Sequence, residues 1–256
     1  MRNLIRVLIC CLFMQAQVFA GASLDLPNNT DYINIGNPAT FNNLAPMSIG
    51  AWINSDTSGG GGQASIVFKR GNPASSGWKF GLSIALGGSL QFILDAGTDL
   101  NLISQNRYVH GGWRFVAMTW DGTFNAGNAH LYVSSFSNTQ IVEPVYVTAI
   151  SGVGPRVSDE ANPMTIGTNG TLVNQGLDGR IAYVKISSAV WTLNDLYNVM
   201  NCADFVPINL VGAWSMTDDY SQNDLSGVGN RGAHVGSPVV SSEGPPTNFC
   251  NQGGSN

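Results

Sequence analysis

The stretch from Trp113 to Ser135, "WRFVAMTWDGTFNAGNAHLYVSS", contains two apolar runs joined by a polar connection that begins with Asp121-Gly122. Both runs are rich in aromatic and β-branched residues, which favour strands, and Asp-Gly is a frequent start of a hairpin connection. Successive side chains of a strand point to opposite faces, so "WRFVAMTW" carries apolar residues on both faces. The stretch therefore predicts a central hairpin that is covered on each side, with Trp113 and Phe115 in the core.

Similar short apolar runs recur along the chain, with Gly, Asn and Pro between them. They read "DYINIG", "MSIGAWIN", "ASIVFK", "WKFGLSI", "SLQFIL", "VEPVYVTAI", "PMTIGT", "GRIAYVKIS", "NLVGAWSM" and "AHVGSPVV". Regularly spaced short strands with turn residues between them are typical of all-β sandwiches and barrels. We therefore predict an all-β fold built from antiparallel strands.

One segment of the second half, "TLNDLYNVM", has the pattern of a helix. Thr192 can cap its N-terminus, and Asp195 lies in its first turn. The apolar residues Leu193, Leu196, Tyr197 and Met200 fall on one stripe, which predicts a short helix packed on the sandwich.

The first 20 residues have the pattern of a secretory signal peptide. Arg2 and Arg6 precede an apolar run, and Val18-Phe19-Ala20 offers small residues for cleavage after Ala20. A membrane span is the alternative, but the apolar run is shorter than the roughly 20 residues that a spanning helix needs. We expect a secreted, extracellular protein.

Cleavage after Ala20 would leave two cysteines, Cys202 and Cys250. Disulfides form and persist in secreted proteins, so we expect these two to pair. A loop of about 49 residues closed in this way stabilises a fold by roughly 4 kcal/mol in the chain-entropy model. The alternatives are two free thiols or a redox pair, and the wide spacing is unlike that of a C-x-x-C motif.

Charge and composition limit the partners. Without the first 20 residues the chain has 9 basic and 16 acidic residues, a net charge of −7. Nucleic acid is therefore not an expected partner. The 31 glycines of the whole chain are typical of a turn-rich extracellular β protein. We predict one domain over residues 21–250, a loop at Gly59 to Gly62 between two strands, and a disordered tail over 251–256.

The order of these elements resembles that of the laminin-G-like, concanavalin A-like lectin/glucanase superfamily, which includes pentraxins and many bacterial surface modules. The resemblance rests on "LDLPNNTDYINIG", "MSIGAWIN", "SIVFKRGNPASSGWKFGLSI", "GGWRFVAMTWDG" with "AHLYVSS", "MTIGTNG" and "LDGRIAYVKISSAVWTLNDLYNVM". It covers about Ser23 to Met200 and implies an antiparallel two-sheet jelly-roll sandwich. Residues 201–250 would then supply completing strands that the Cys202–Cys250 bridge ties down.

Some members of the superfamily are glycosidases that use two carboxylates across a cleft. Those of the β-glucanase kind carry a Glu-x-Asp-x-x-Glu strand, and Glu143, Glu160 and Glu243 do not have that spacing. The three histidines, His110, His130 and His234, are far apart in sequence and show no metal-ligand spacing. We therefore predict a protein that is not an enzyme, and an unconventional glycoside hydrolase or lyase is a third hypothesis.

The resemblance also implies that Ca²⁺ is a candidate cofactor, because many of these jelly rolls bind it. Hard cations take several oxygen ligands, which Asp218, Asp224 and Asn230 could supply with loop carbonyls. The alternative is an Asx-type turn in which Asp224 bonds its own backbone. Ala182 replaces a carboxylate that the family commonly has in "GRIA", which weakens the calcium hypothesis.

A sugar site would need an aromatic ring at a loop edge and amide side chains nearby. Two tryptophans are candidate stacking platforms and three asparagines their polar neighbours: Trp78, Trp120, Asn72, Asn125 and Asn128. The alternative for such aromatic residues is packing in the core. Asn28 and Asn169 begin N-glycosylation sequons and are otherwise polar turn residues.

Taken together, these patterns predict a secreted, non-catalytic jelly-roll module that binds a glycan or an extracellular surface protein, with Ca²⁺ as a candidate cofactor. The alternative is a structural subunit of an extracellular coat, filament or adhesive layer, in which copies of the chain assemble with one another. The low charged fraction of 11% suits both hypotheses.

Overall fold

The computed structural model describes residues 21–56, 63–71, 76–83, 88–105, 111–169 and 175–247. Within these ranges the chain forms seventeen strands and one α-helix, α1, at Leu193–Asn201. The strands are β1 Ser23–Leu26, β2 Tyr32–Gly36, β3 Met47–Ser55, β4 Ala64–Arg70, β5 Gly77–Ser83, β6 Ser89–Leu94, β7 Leu100–Ser104, β8 Arg114–Trp120, β9 Ala129–Ser134, β10 Ile141–Val142, β11 Tyr146–Ile150, β12 Met164–Ile166, β13 Gly179–Ser187, β14 Leu210–Trp214, β15 Ser221–Gln222, β16 Gly232–Val235 and β17 Val239–Ser241.

Three predictions concern residues that the structure does not describe: the signal peptide over 1–20, the loop at Gly59 to Gly62 and the tail over 251–256. They stay predictions. In the described part of the chain, α1 is too short to cross a membrane, and no helix has the length and apolar character of a span.

The described strands form two antiparallel sheets. The eight-stranded sheet has the order β10-β9-β8-β3-β13-β1-β17, and β14 also pairs with β13. The nine-stranded sheet has the order β11-β7-β6-β5-β4-β12-β2-β16-β15. Chain neighbours β4 to β7 pair consecutively, whereas β1, β2, β12 and β13 bring distant parts of the chain together. The predicted two-sheet jelly-roll sandwich is confirmed.

The hairpin of β8 and β9 lies inside the eight-stranded sheet, with β3 on its other side. Val116, Met118 and Trp120 point into the core between the two sheets. Phe115 points to the other side, where it packs in a second apolar cluster beneath α1. The prediction that both faces are covered is confirmed, but Trp113 only packs partly buried against this cluster, because it precedes the strand.

Helix α1 covers the outer face of the eight-stranded sheet. Thr192 and Asp195 form a capping box, in which Asp195 N donates to Thr192 Oγ1 at 3.2 Å and Thr192 N donates to Asp195 Oδ2 at 2.9 Å. Leu196, Val199 and Met200 are buried. Leu193 is 60% exposed, so its predicted place on the buried stripe is wrong and Val199 takes that place.

The C-terminal part of the chain completes both sheets. Strand β14 pairs with β13, β16 pairs with β2, and β17 pairs with β1. Leu24 lies opposite Val240, so the first and last described strands are neighbours. Cys202 follows α1 directly, whereas Cys250 lies outside the described residues, so the disulfide between them stays a prediction.

Two features differ from the strands expected from the sequence. The run "VEPVYVTAI" divides at Pro144 into β10, at the edge of the eight-stranded sheet, and β11, at the edge of the nine-stranded sheet. Proline cannot donate a ladder hydrogen bond, so the chain changes sheets at this position. Strand β7, "LNLIS", is not among the expected runs and pairs with β6 and β11.

Candidate functional site

Both candidate stacking tryptophans lie in the core between the sheets. Trp78 is 0% exposed and Trp120 is 1% exposed. Trp120 packs against Phe92 with ring centroids 6.3 Å apart, and its Nε1 donates to the carbonyl of Thr123. A sugar needs an exposed ring face for stacking, so the prediction of Trp78 and Trp120 as platforms is wrong.

Two of the candidate asparagines hold the connection between β8 and β9 in shape. Asn125 Oδ1 accepts from Gly127 N at 2.9 Å and starts a short 3-10 turn. Asn128 Nδ2 donates to Asp121 Oδ2 at 2.8 Å. Asn125 is exposed and Asn128 is partly exposed, whereas Trp120 is buried in the core. Asn72 lies outside the described residues, and its role stays a prediction.

The candidate calcium ligands bind backbone and amide N–H groups. Asp224 accepts from Ala213 N at 3.0 Å, Ser226 N at 2.9 Å and Asn230 N at 2.8 Å. Asp218 Oδ2 accepts from Asn223 Nδ2 at 2.9 Å. The bonds of Asp224 match the Asx-type turn that was the alternative interpretation.

These turn bonds do not test the calcium prediction itself. Across the described ranges, no group of three or more His, Cys, Asp or Glu side chains could hold a metal ion. That finding does not cover amide or backbone oxygen ligands. Ca²⁺ therefore stays a prediction at Asp218, Asp224 and Asn230.

The two sequon asparagines differ in exposure. Asn28 is exposed, and its Nδ2 donates to Asp31 Oδ2 at 2.9 Å. Asn169 is 2% exposed and donates to Gln175 Oε1 at 2.9 Å. A glycan is bulky and needs a surface position, so the fold is compatible with modification at Asn28 and opposes it at Asn169.

The outer face of the nine-stranded sheet carries the polar cluster that we identify as the candidate site. On β5, Trp78, Phe80 and Leu82 enter the core, so Lys79 and Gly81 point outward. The pairing of β4 to β7 aligns the outward residues of neighbouring strands. We call this set the outer face: Ser65, Phe68, Lys79, Gln91, Ile93, Asn101 and Ile103.

Gln91 and Asn101 form the accessible polar part of the outer face. Both are partly exposed, and Gln91 Nε2 donates to Asn101 Oδ1 at 3.1 Å. This bond leaves Gln91 Oε1 as an acceptor and Asn101 Nδ2 as a donor, and neither atom has a partner among the described residues. A sugar hydroxyl is both donor and acceptor, so the pair is chemically suited to hold one.

Lys79 lies deeper in the outer face and is 2% exposed. Its Nζ donates to Gln63 Oε1 at 3.0 Å, which is its one hydrogen bond within the described residues. Burial, together with the smaller effect of the positive charge of Arg70, lowers the pKa of Lys79 to about 7. Near neutral pH this amine therefore exists in both protonation states.

The other two lysines of the chain are also buried but are better compensated. Lys69 Nζ donates to the carbonyls of Asp159 and Asn162 and to Asn37 Oδ1. Lys185 donates to two carbonyls and is attracted by Asp204. Among the described residues Lys79 has an amide oxygen in place of an acidic partner, so its ammonium is there the least compensated of the three.

Ser65 adds a hydroxyl to the same face. It lies opposite Gly81 on β5, is 0% exposed, and its Oγ has no hydrogen-bond partner in the described structure. A buried hydroxyl without a partner is costly, and such groups often mark a site where a ligand or water completes the bonding. Phe68, Ile93 and Ile103 provide apolar surface between the polar groups.

The sequence contained a signal for this face that our reading of motifs missed. In "WKFGLS", "SLQFIL" and "LNLIS" the polar residues alternate with the apolar ones, so Lys79, Gln91 and Asn101 are assigned to one face. The order of the strands was needed to bring them together. Gln63 could not be placed, because it precedes β4 in a connection.

The two histidines that the structure describes contact a carboxylate and an amide. His130 Nδ1 contacts Glu143 Oε1 at 2.7 Å, and Tyr146 OH donates to the same oxygen at 2.7 Å. His234 Nε2 contacts Gln222 Nε2 at 3.0 Å. A Ser, Thr or Cys nucleophile that histidine activates lies within hydrogen-bond reach of that histidine. Neither His130 nor His234 has such a contact within the described residues, and His110 lies outside them.

Comparison with known proteins agrees with this fold. The family model of the concanavalin A-like lectin/glucanases superfamily matches residues 27–196. No curated protein sequence matches the chain significantly.

Three solved structures are similar to the sandwich. One is a protein from Bacteroides ovatus with a suggested carbohydrate-binding role, at TM-score 0.59 and 13% identity, covering 90% of this chain. This chain spans 62% of the length of that protein. The heptameric SAP-like pentraxin from Limulus polyphemus has TM-score 0.53 and 10% identity, with 86% of this chain and 94% of the pentraxin covered.

The third is the CBM40 of the Ruminococcus gnavus IT-sialidase bound to α2,3-sialyllactose, at TM-score 0.50 and 13% identity, with 70% of this chain and 96% of the module covered. At these identities the three structures show a shared fold. The family match covers well over half of the chain. The chain therefore belongs to the concanavalin A-like lectin/glucanases superfamily.

Proposed function

We propose that this chain is a secreted, non-catalytic module that binds carbohydrate through the outer face of the nine-stranded sheet. The observation that carries the proposal is the pairing of Gln91 with Asn101, which presents one acceptor and one donor at an accessible position. Of the similar structures, the Bacteroides ovatus protein has a suggested carbohydrate-binding role and the CBM40 holds α2,3-sialyllactose. The predicted signal peptide supports secretion.

The placement of the outer face also supports this proposal. Helix α1 covers the other sheet, where Trp52 Nε1 donates to the Met200 carbonyl at 3.1 Å. Gln91, Ile93 and Asn101 remain partly exposed on the nine-stranded sheet. Apolar surface with a few placed polar groups is typical of the lining of small-ligand sites. A sugar could lie with its C–H groups against Ile93 and its hydroxyls on the two amides.

Binding to a glycan array tests the proposal. We expect saturable binding to a subset of glycans by the purified chain, and no release of reducing sugar from the same glycans. Repeating the array with a chelator tests the Ca²⁺ prediction separately. If the folded protein binds no glycan on a broad array, the proposal is contradicted.

A second candidate function, assembly of the chain into a layer or filament, is favoured by one observation. Edge strand β11 and its flanks expose four large apolar residues, Val145, Val147, Ile150 and Val153. An exposed apolar edge can pair with another chain. Light scattering over a concentration series tests this candidate, and Val147→Lys should abolish any assembly because charged edges block strand pairing. A monomer at all concentrations would rule it out.

A further inference from the structure

A pocket of about 320 Å³ lies on the opposite side of the sandwich from the outer face. Its floor is formed by β13 and β14, where Lys185 lies opposite Ala213. Its wall is the segment that follows α1, from Ala203 to Val206. The pocket is separate from the proposed glycan site, because the two lie on different sheets.

Most of the lining of the pocket is apolar. Val206 and Leu225 lie at its mouth and are 68% and 65% exposed, and Leu210 and Phe205 continue the apolar surface inward. Exposed apolar side chains that converge on one concave surface are typical of a binding site. The volume is at the lower end of the range for small-molecule sites, which favours a small ligand over a large one.

The polar end of the pocket is the Lys185 amine, which is 5% exposed. Its Nζ donates to the Phe205 carbonyl at 2.7 Å and to the Cys202 carbonyl at 3.4 Å. An ammonium has three donors, so within the described residues one remains for a ligand. Burial lowers the pKa of Lys185 to about 8, and the nearby Asp204 opposes this shift.

The charges around the pocket decide the kind of ligand. Lys185 and Asp204 compensate each other, so an added anion would meet Asp204 and an added cation would meet Lys185. Each extra charge would also lose its hydration against the apolar wall. An uncharged group that accepts one hydrogen bond avoids both costs.

We propose that this pocket binds a small uncharged amphipathic molecule, with its apolar body between Val206, Leu225 and Leu210 and its hydrogen-bond acceptor on Lys185 Nζ. Short-chain and aromatic alcohols are the chemical class that fits. This second site is independent of the proposed glycan binding.

Three probes of equal chain length test the charge argument: 1-hexanol, hexanoate and hexylammonium. We expect NMR titration of the whole chain to show saturable shifts around Lys185 with 1-hexanol, and binding weaker by about tenfold or more for both ions. No saturable shift with 1-hexanol would overturn the proposal, and so would tighter binding of either ion.

Two variants and one control locate the binding. Ala213→Leu should fill the pocket and abolish hexanol binding, whereas Ala233→Leu makes the same change on the exposed surface of β16 and should leave it unaltered. If Ala213→Leu does not fold, Lys185→Met keeps the apolar walls and should weaken hexanol binding several-fold. Equal hexanol binding by the wild type and a folded pocket variant would overturn the assignment.

Discussion

Trp78 and Lys79 are neighbours on β5 but lie on opposite faces of the nine-stranded sheet. The indole of Trp78 is enclosed in the core between the sheets, whereas the amine of Lys79 lies on the outer face and donates to Gln63 Oε1. Successive side chains of a strand point to opposite faces, so Trp78 stabilises the fold whereas Lys79 belongs to the candidate site.

Replacement of Trp78 by alanine should affect stability. Removal of a fully buried tryptophan leaves a cavity and costs about 3–5 kcal/mol. Trp113→Ala is the matched control, because Trp113 is only partly buried and its loss should cost clearly less. Urea unfolding measures both free energies. Equal costs for the two variants would contradict the enclosed position of Trp78.

Lys79→Met should stabilise the protein most at low pH. Because burial lowers the pKa of Lys79 to about 7, the folded state resists protonation that the unfolded chain accepts up to about pH 10. The advantage of Lys79→Met over the wild type should thus be full below about pH 7. It should shrink by up to about 1.4 kcal/mol per pH unit between about pH 7 and 10.

Lys185→Met is the control for this pH dependence. In the wild type the pKa of Lys185 is lowered only to about 8. The stability advantage of Lys185→Met should therefore begin to shrink about one pH unit higher than that of Lys79→Met. Unfolding free energies measured from pH 6 to 10 compare the two variants. A Lys79→Met difference that does not change with pH would show that the amine is not buried as described.

Asp224→Ala should destabilise the protein through the backbone. Asp224 accepts three backbone N–H bonds, one of them from Ala213 on edge strand β14. Leaving such donors unpaired costs about 1–3 kcal/mol. We expect the same loss of stability in Ca²⁺ and in chelator. A rise in melting temperature with Ca²⁺ that Asp224→Ala abolishes would instead support the cation site.

Expression in a host that attaches N-glycans should distinguish the two sequons. We expect Asn28→Gln to remove any glycan, because Asn28 is exposed, and Asn169→Gln to leave it in place, because Asn169 is buried against Gln175. Mass spectrometry of the secreted protein measures the occupancy. Glycan on Asn169 of the folded protein would contradict its buried position.

The fold could be predicted from the sequence because it depends on local patterns. Alternation located most strands, the Trp113 to Ser135 hairpin indicated a covered central pair, and Thr192 marked the start of α1. Trp113 and Leu193 were misplaced because each lies at the end of an element, where periodicity no longer decides burial. Strand β7 was missed since its alternation, "LNLIS", is short.

The site could not be predicted in the same way, because it depends on which strands become neighbours. Gln91 and Asn101 have no distinctive pattern in the sequence, and they become a pair only when β6 and β7 lie side by side, where they are diagonal neighbours across the two strands. Trp78 and Trp120 were predicted as sugar platforms because they are aromatic. Large aromatic side chains also contribute most to core burial, and both of these are buried in the core. Asp224 resembled a calcium ligand because it has a carboxylate in a turn-rich stretch. In the structure the same carboxylate accepts the backbone N–H bonds of a turn.

The most direct test of glycan binding at the outer face compares two double variants on one glycan. Gln91→Ala with Asn101→Ala removes the amide pair of the outer face, and Asn125→Ala with Asn128→Ala removes the amides of the β8–β9 connection. Calorimetry should show affinity reduced by about tenfold or more in the first and unchanged in the second, with both variants folded. Unchanged affinity in the first variant would contradict the account, and loss only in the second would move the site to the connection.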